Sequence, residues 1–319
     1  MTDFSAQAGG KLILIGEHAV VYGYPAIALP LPQLSLKIRV IPRNAVSGNT
    51  LWETNERSAP GDLQKMDTVF AQCLELFARD FSVTEAIASL KKNPPLFKLT
   101  SSLPLGAGLG GSAAFSVALV RVCAKILKIT LSLDTVERYA HHLESVFHRT
   151  SSGLDTRAVL SRQPIFFQRN APWRSLPSLP PCWIVLIHTQ EYTATSTMIE
   201  RLKTHLADIP TQHQHLDSLG TLTHAMMSAL ESQDLTHIGD YLTQSHRHLQ
   251  ALKLSTPALD NAVEALCDNG ALGAKMTGGG GGGIAFGLFT QVPNISLFDK
   301  FGRVFLLNSS ARPYIRTKL

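Results

Sequence analysis

The stretch Pro104-Leu105-Gly106-Ala107-Gly108-Leu109-Gly110-Gly111-Ser112-Ala113-Ala114 constrains this chain more than any other. An apolar run from Leu96 to Leu99 leads into it and predicts a strand. Ala113 to about Leu127 leads out and predicts a mostly buried helix with one polar stripe, Arg121, Lys125 and Lys128. A glycine loop between a strand and a helix N-terminus suits an anion. The first-turn N–H groups have no intrahelical partner, the positive end of the macrodipole lies there, and glycine lets the backbone approach a phosphate with no Cβ in the way. Ser112 adds a small hydroxyl at the helix start, placed to touch a phosphate or its metal. Taken alone, the loop is also compatible with a helix cap that binds nothing.

Two familiar phosphate loops do not fit. A Walker loop needs Gly-Lys-Ser/Thr, and no lysine follows Gly111. Gly106 to Gly111 matches G-x-G-x-x-G letter for letter. That fingerprint usually opens a βαβ unit, with an acidic residue about 20 positions on. Glu144 is too far away, which leaves a dinucleotide-binding oxidoreductase as the weakest reading.

Two further stretches share the chain with this loop, in order. Near the N-terminus stands Lys11-Leu-Ile-Leu-Ile-Gly16-Glu17-His18-Ala19-Val20-Val21-Tyr22-Gly23. Near the C-terminus stands Lys275-Met276-Thr277 followed by six glycines, Gly278 to Gly283. A glycine run can be a flexible linker, but the strand-like segments Ala271–Thr277 and Ile284–Phe289 on either side predict a tight loop inside a domain. Together the three stretches resemble the motifs of the galactokinase, homoserine kinase, mevalonate kinase and phosphomevalonate kinase (GHMP) superfamily. The continuation from Gly16 to Ala28 is most similar to the mevalonate kinases. The resemblance spans residues 11 to 283. It implies an α+β, two-domain GHMP fold: an N-terminal domain like ribosomal protein S5 domain 2 over residues 1–180, carrying the phosphate loop and catalytic aspartate, and a ferredoxin-like C-terminal domain over 181–319, carrying the third motif.

The remaining segments fill in this outline. Lys11–Ile15 predicts a short buried strand, Gly16–His18 a turn, and Ala19–Ala28 apolar structure. Leu34–Val40 alternates strictly, as a strand with one wet face does. Pro42–Pro60 is polar and rich in turn residues. Leu63, Met66, Phe70, Leu74 and Phe77 recur at helical spacing and predict an amphipathic helix from Asp62 to about Arg79. Asp134 and Glu137 suggest a capping box. It opens a helix with one stripe of Val136, Ala140, Leu143 and Phe147 and another of Glu137, His141, Glu144 and His148. By composition, Ser151–Asp155 is a turn. Trp183–Ile187 predicts a strand, and helices are expected near Ser196–Leu206, Leu216–Ser232, Leu235–Leu252 and Thr256–Cys267, the last stopped by Gly270. A boundary near Pro177–Pro181 fits these elements.

Composition limits the partners. Of 319 residues, 45% are hydrophobic and 17% charged, enough for a sizeable core and too apolar for disorder. The net charge of +5 comes from scattered Lys and Arg, with no run longer than Lys91-Lys92. This suits anionic small molecules better than nucleic acid. Cys73, Cys123, Cys182 and Cys267 lack metal spacing and fit reduced thiols. Met1-Thr2-Asp3 lacks a basic n-region, and the apolar run Ala26–Leu36 is broken by Pro30 and Pro32. The expectation is a cytoplasmic protein without membrane contact, and a homodimer is compatible with it.

The resemblance also implies the chemistry: ATP-dependent phosphorylation of the 5-hydroxyl of mevalonate, giving 5-phosphomevalonate for isoprenoid synthesis. Pro104, Gly106, Ala107, Gly108, Leu109, Gly110, Gly111 and Ser112 would hold ATP. Ser112 and Glu144 would hold Mg²⁺; Glu144 stands eleven residues before Asp155, as the metal-binding glutamate does in mevalonate kinases. Asp155 would take the hydroxyl proton, with Lys11 beside it keeping the carboxylate ionised. Glu17, His18, Ser152, Thr195, Gly279 and Gly280 would line the substrate pocket; a satisfied core histidine is the second reading of His18. The chain departs from the family at Gly9-Gly10-Lys11, where relatives read Pro-Gly-Lys, at Gly111-Ser112, where many read Ser-Ser, and at Thr156–Gln163, where a Gly-Gly segment is usual. Within the superfamily, phosphomevalonate or a sugar is the competing acceptor. A non-catalytic ligand-binding member is opposed by intact Lys11, Ser112, Glu144 and Asp155.

Overall fold

The computed structural model describes residues 4–41, 51–55, 60–104, 106–147 and 152–310. The chain forms two compact units, each built from separated segments. One comprises Met1–Gly10, Leu34–Leu105 and Gly110–Leu160; the other comprises Lys11–Gln33, Gly106–Leu109 and Ser161–Leu319. Both mix strands and helices in an α+β arrangement.

Strands β1 (Ser5–Ile15) and β2 (Ala26–Ile41) pair with each other. They are followed by β3 (Trp52–Thr54), helices α1 (Pro60–Asp80) and α2 (Thr84–Lys92), and β4 (Leu96–Ser101). Then come α3 (Gly111–Ile126), α4 (Leu133–Phe147) and α5 (Leu154–Leu160). Leu36–Ile41 of β2 pairs antiparallel with β4, whose other edge takes β3 in parallel. The alternation is as expected: Leu34, Leu36 and Ile38 are buried, while Lys37 and Arg39 are exposed. Trp52 stacks on Phe97 at 4.8 Å between ring centroids and Phe70 meets Phe97 edge-on at 5.0 Å, so aromatic contacts bind α1 to this sheet. Helix α3 is buried along nearly its whole length. From its polar stripe, Arg121 and Lys125 donate to the carbonyls of Gln7 and Ser5 on β1.

The other unit adds β5 (Ile165–Phe167), β6 (Arg174–Ser175) and β7 (Trp183–His188). Four helices follow, α6 (Thr195–Asp208), α7 (His213–Glu231), α8 (Leu235–Ala251) and α9 (Pro257–Asp268). Strands β8 (Gly273–Thr277), β9 (Ile284–Phe289) and β10 (Arg303–Asn308) complete it. The order β10-β7-β9-β8 is antiparallel throughout. Its core joins Val185, Ile187, Met276, Ala285 and Phe289 of the sheet to Leu249, Leu259 and Leu266 of α8 and α9. Thr256 caps α9, and Gly270, at φ 92°, reverses the chain after it.

Several expectations need correction. The run Ala26–Leu36 is not broken at Pro30 and Pro32, because β2 passes through both. They fall between the residues paired to β5 (Ala26–Ala28) and those paired to β4, where a missing N–H removes no bond to either strand. Within Pro42–Pro60, Trp52–Thr54 is a strand; most of the remainder lies outside the described residues, as do His148 and Ser151. The capping oxygen of α4 belongs to Ser132, which accepts from Thr135 N at 3.1 Å, and Asp134 is a first-turn acid. The turn ending in Asp155 gives way at Leu154 to a helix, with Asp155 in its first turn. No helix among the described residues is long and apolar enough to cross a membrane.

Candidate active site

The three glycine-containing motifs meet within one unit. The backbone N–H of Lys11 on β1 donates to the carbonyl of Leu109 in the phosphate loop at 3.0 Å. Two residues along β1, Ile13 exchanges two bonds with the Thr277 hydroxyl, which accepts from Ile13 N at 3.1 Å and donates to Ile13 O at 3.0 Å. Thr277 ends β8, so the first and third motifs are tied immediately before the glycine run. The two loops touch backbone to backbone: a Cβ added at Gly278 would stand 2.9 Å from the Cα of Gly108. Only glycine at both positions allows that approach.

After β1 the chain turns sharply at Gly16, whose φ is 96° and whose added Cβ would collide with the Pro25 carbonyl. The turn sends two polar side chains inward. Glu17, 1% exposed, pairs with Lys275 of β8, which is fully buried and also donates to the Met276 carbonyl at 2.7 Å. Burial pushes the Glu17 carboxyl up against the pull of Lys275, and burial pushes Lys275 down against the pull of Glu17. Glu17, expected at the substrate, thus holds through Oε1 a lysine to which sequence reasoning gave no role. His18 stands at φ 59° and places Nε2 2.8 Å from the carbonyl of Gly279. A carbonyl only accepts, so Nε2 carries the proton. Burial lowers the His18 pKa to about 4, leaving a neutral imidazole at physiological pH. Thr195, at the start of α6, lies against the same glycine, since a Cβ on Gly279 would reach its hydroxyl at 2.6 Å. His18, Thr195 and Gly279 thus cluster. Gly280 is buried beneath, against Leu254.

In the phosphate loop φ is positive at Gly106 (76°), Gly108 (86°) and Gly110 (74°), and not at Ala107 or Leu109. Alternation of this kind curls successive N–H groups toward one side, the arrangement of an anion-binding nest. Pro104, Ala107 and Leu109 are buried and anchor the loop, while Gly106 is exposed. Gly110 precedes α3, whose start carries no side-chain cap, and Gly111 and Ser112 open the helix.

The acidic residues belong to the other unit. Helix α4 buries Val136, Tyr139, Ala140 and Leu143, and with them Glu144, 1% exposed. Of the described residues in its second stripe, Glu137 is half-buried and His141 exposed, so Glu144 alone is buried. The Thr156 hydroxyl on α5, wholly buried, donates to Glu144 Oε2 at 2.7 Å and orients that carboxylate. The neighbouring residue is Asp155, half-buried in the first turn, where Ser152 Oγ accepts from Leu154 N. Arg157 pairs with Glu137. The sequence did not announce Thr156 as the partner of Glu144; its one signal was its place directly after the candidate base.

Comparison with known proteins identifies the family. A model described as the GHMP kinases N terminal domain matches residues 69–162, and one described as GHMP kinases C terminal matches 226–305. A mevalonate kinase of Pyrococcus horikoshii is 30% identical over 300 residues, covering 89% of this chain and 88% of the relative. The chain belongs to the GHMP kinase family. The N-terminal match contains the phosphate loop, Glu144 and Asp155, and the C-terminal match contains the third motif. The first motif lies outside both stretches, yet its hydrogen bonds join it to both loops. Solved GHMP kinases share the fold. The mevalonate kinase of L. major in complex with R-mevalonate superposes with TM-score 0.74 at 21% identity, covering 98% of this chain and 97% of that one. A Streptococcus pneumoniae phosphomevalonate kinase in complex with phosphomevalonate and AMPPNP superposes with TM-score 0.68 at 16%, covering 93% and 95%.

Proposed function

We propose that this chain is an ATP-dependent mevalonate kinase that transfers the terminal phosphoryl group of ATP to the 5-hydroxyl of mevalonate, releasing ADP and 5-phosphomevalonate. The observation that carries the acceptor assignment is the near full-length likeness to a mevalonate kinase. The motif geometry supports the reaction class.

Phosphoryl transfer needs charge neutralisation, alignment and a route for the nucleophile's proton. In this reading the amides of Gly106 to Ser112 hold the donor phosphates. Ser112 and Glu144 are oxygen donors suited to Mg²⁺, and Thr156 holds the Glu144 carboxylate in one orientation. Among the described residues no group of three or more His, Cys, Asp or Glu could hold a metal ion. That donor set fits Mg²⁺, which takes one or two protein ligands and completes its shell with phosphate and water. Bound there, Mg²⁺ would neutralise phosphate charge. Asp155 takes the proton as its hydroxyl partner attacks phosphorus, and Lys11 offsets charge in the transition state. The proton on His18 Nε2 fixes Gly279, while Thr195 and Ser152 present hydroxyls to the acceptor.

A coupled ADP-release assay with mevalonate, phosphomevalonate and galactose tests the proposal. Mevalonate should give the highest kcat/KM. Phosphomevalonate or galactose outcompeting it would overturn the acceptor and leave the family intact.

A further inference from the structure

Tyr192 is the most exposed of the large hydrophobic side chains among the described residues, at 69%. Its backbone is nevertheless held tightly. Thr189 donates to the Gly283 carbonyl through both its N–H (2.9 Å) and its hydroxyl (3.1 Å). Gly283 N donates back to the Glu191 carbonyl at 3.0 Å, and the Thr193 hydroxyl donates to the Gly281 carbonyl at 2.7 Å. Farther out, Glu191 Oε2 accepts from the Thr256 hydroxyl at 3.0 Å, and Thr195 packs on Gly279. Residues 189–195 are thus a strap laced to the third motif on both sides of Tyr192. The ring of Tyr192 reaches the other loop: a Cβ at Gly106 would meet its Cε2 at 3.3 Å and its Cδ2 at 3.5 Å.

An exposed aromatic ring gains little in folding, so packing alone does not account for a backbone pinned on both sides. The Gly106 Cβ position lies over the Cδ2–Cε2 side of the ring, so the tyrosine covers the exposed member of the nest. A ring laid over this position keeps water from that side of the loop. Displacing water beside the loop amides also strengthens their attraction to phosphate.

We infer that Tyr192 is a specificity-determining contact for the phosphate donor: the strap holds its ring over Gly106, where it covers a polyphosphate seated in the loop amides. The inference rests on the reading of the chain as a nucleotide-dependent kinase, and not on which acceptor it uses. Its test therefore omits the acceptor. Calorimetric binding of AMPPNP with Mg²⁺, and of inorganic tripolyphosphate, is compared for the parent, Tyr192→Ala and Tyr192→Phe, each with its melting temperature. Tyr192→Ala should weaken both ligands about five- to tenfold, the scale of one lost favourable contact, with an unchanged melting temperature. Tyr192→Phe keeps the ring and should stay within about twofold of the parent. In turnover, Tyr192→Ala should raise KM for ATP and leave KM for the acceptor unchanged. Binding by Tyr192→Ala within twofold of the parent would overturn the inference. So would a Tyr192→Phe loss equal to that of alanine, or a loss confined to AMPPNP, which would place the ring on the base. If mevalonate is not the acceptor, the binding comparison still stands.

Discussion

The two glycine loops use the same residue for different purposes. In the third motif nearly every glycine is hemmed in. Gly280, at φ 72°, is buried, and an added Cβ would stand 2.3 Å from the Leu254 carbonyl; at Gly282 it would stand 2.7 Å from the backbone of Glu191. These glycines let backbone pack on backbone. In the phosphate loop Gly106 is also left-handed, but the nearest atoms to its added Cβ belong to the ring of an exposed tyrosine, at 3.3 Å and beyond. In the proposed function the missing side chain leaves room for the phosphate donor. One loop is a keystone of the fold and the other is an opening, so substitutions in the two should separate stability from nucleotide binding.

The largest effect should come from Gly280→Ala. Overpacking against a backbone carbonyl and a left-handed non-glycine residue together should cost about 4 kcal/mol, read from denaturant unfolding. A near-neutral result would remove the distinction between the loops. Lys275→Met addresses the strand that delivers the third motif. It leaves Glu17 buried without its cation and should cost about 3 kcal/mol; replacing both partners with apolar residues should recover much of the loss.

Acid should act through His18, which holds the third-motif backbone at Gly279. Its folded pKa of about 4 lies below the ordinary 6.5, so the unfolded chain binds more protons between those values. The stability it contributes is complete above 6.5 and is lost as pH falls toward 4. At about pH 5 the loss should be about 2 kcal/mol relative to neutral pH. His18→Gln should flatten the melting-temperature profile in that window; equal slopes in the two proteins would contradict a buried neutral imidazole. The smallest stability effect belongs to Gly106→Ala, about 1 kcal/mol for the left-handed backbone, with a clear rise in KM for ATP. A stability loss matching that of Gly280→Ala would collapse the comparison.

What was legible in the sequence was local. The phosphate loop, the glycine run and the long helices declared themselves through residue type and periodicity over short spans. The pairs that position the site are distant: Glu17 and Lys275 are 258 residues apart, and Glu144 and Thr156 are 12 apart on two helices. No pattern within a window links them. Short elements also escaped, since β3, β5 and β6, at two or three residues, are too brief for a period to appear. Helix α2 buries only Ile87 and has no side-chain cap, so it had neither a stripe nor a start signal. Pro30 and Pro32 misled because the cost of a proline depends on which neighbour needs its N–H, and that is settled by pairing.

The central claim is that this chain moves a phosphoryl group onto a hydroxyl whose proton Asp155 accepts. Asparagine is nearly isosteric with aspartate but cannot take the proton. Single-turnover phosphorylation of mevalonate by Asp155→Asn, at saturating ATP and acceptor, tests this most directly. The chemical step should slow by about 10² or more, about 2.7 kcal/mol of barrier, with ATP affinity little changed. A chemical step within about threefold of the parent, less than 1 kcal/mol of barrier, would mean that the proton leaves by another route and that Asp155 is not the base.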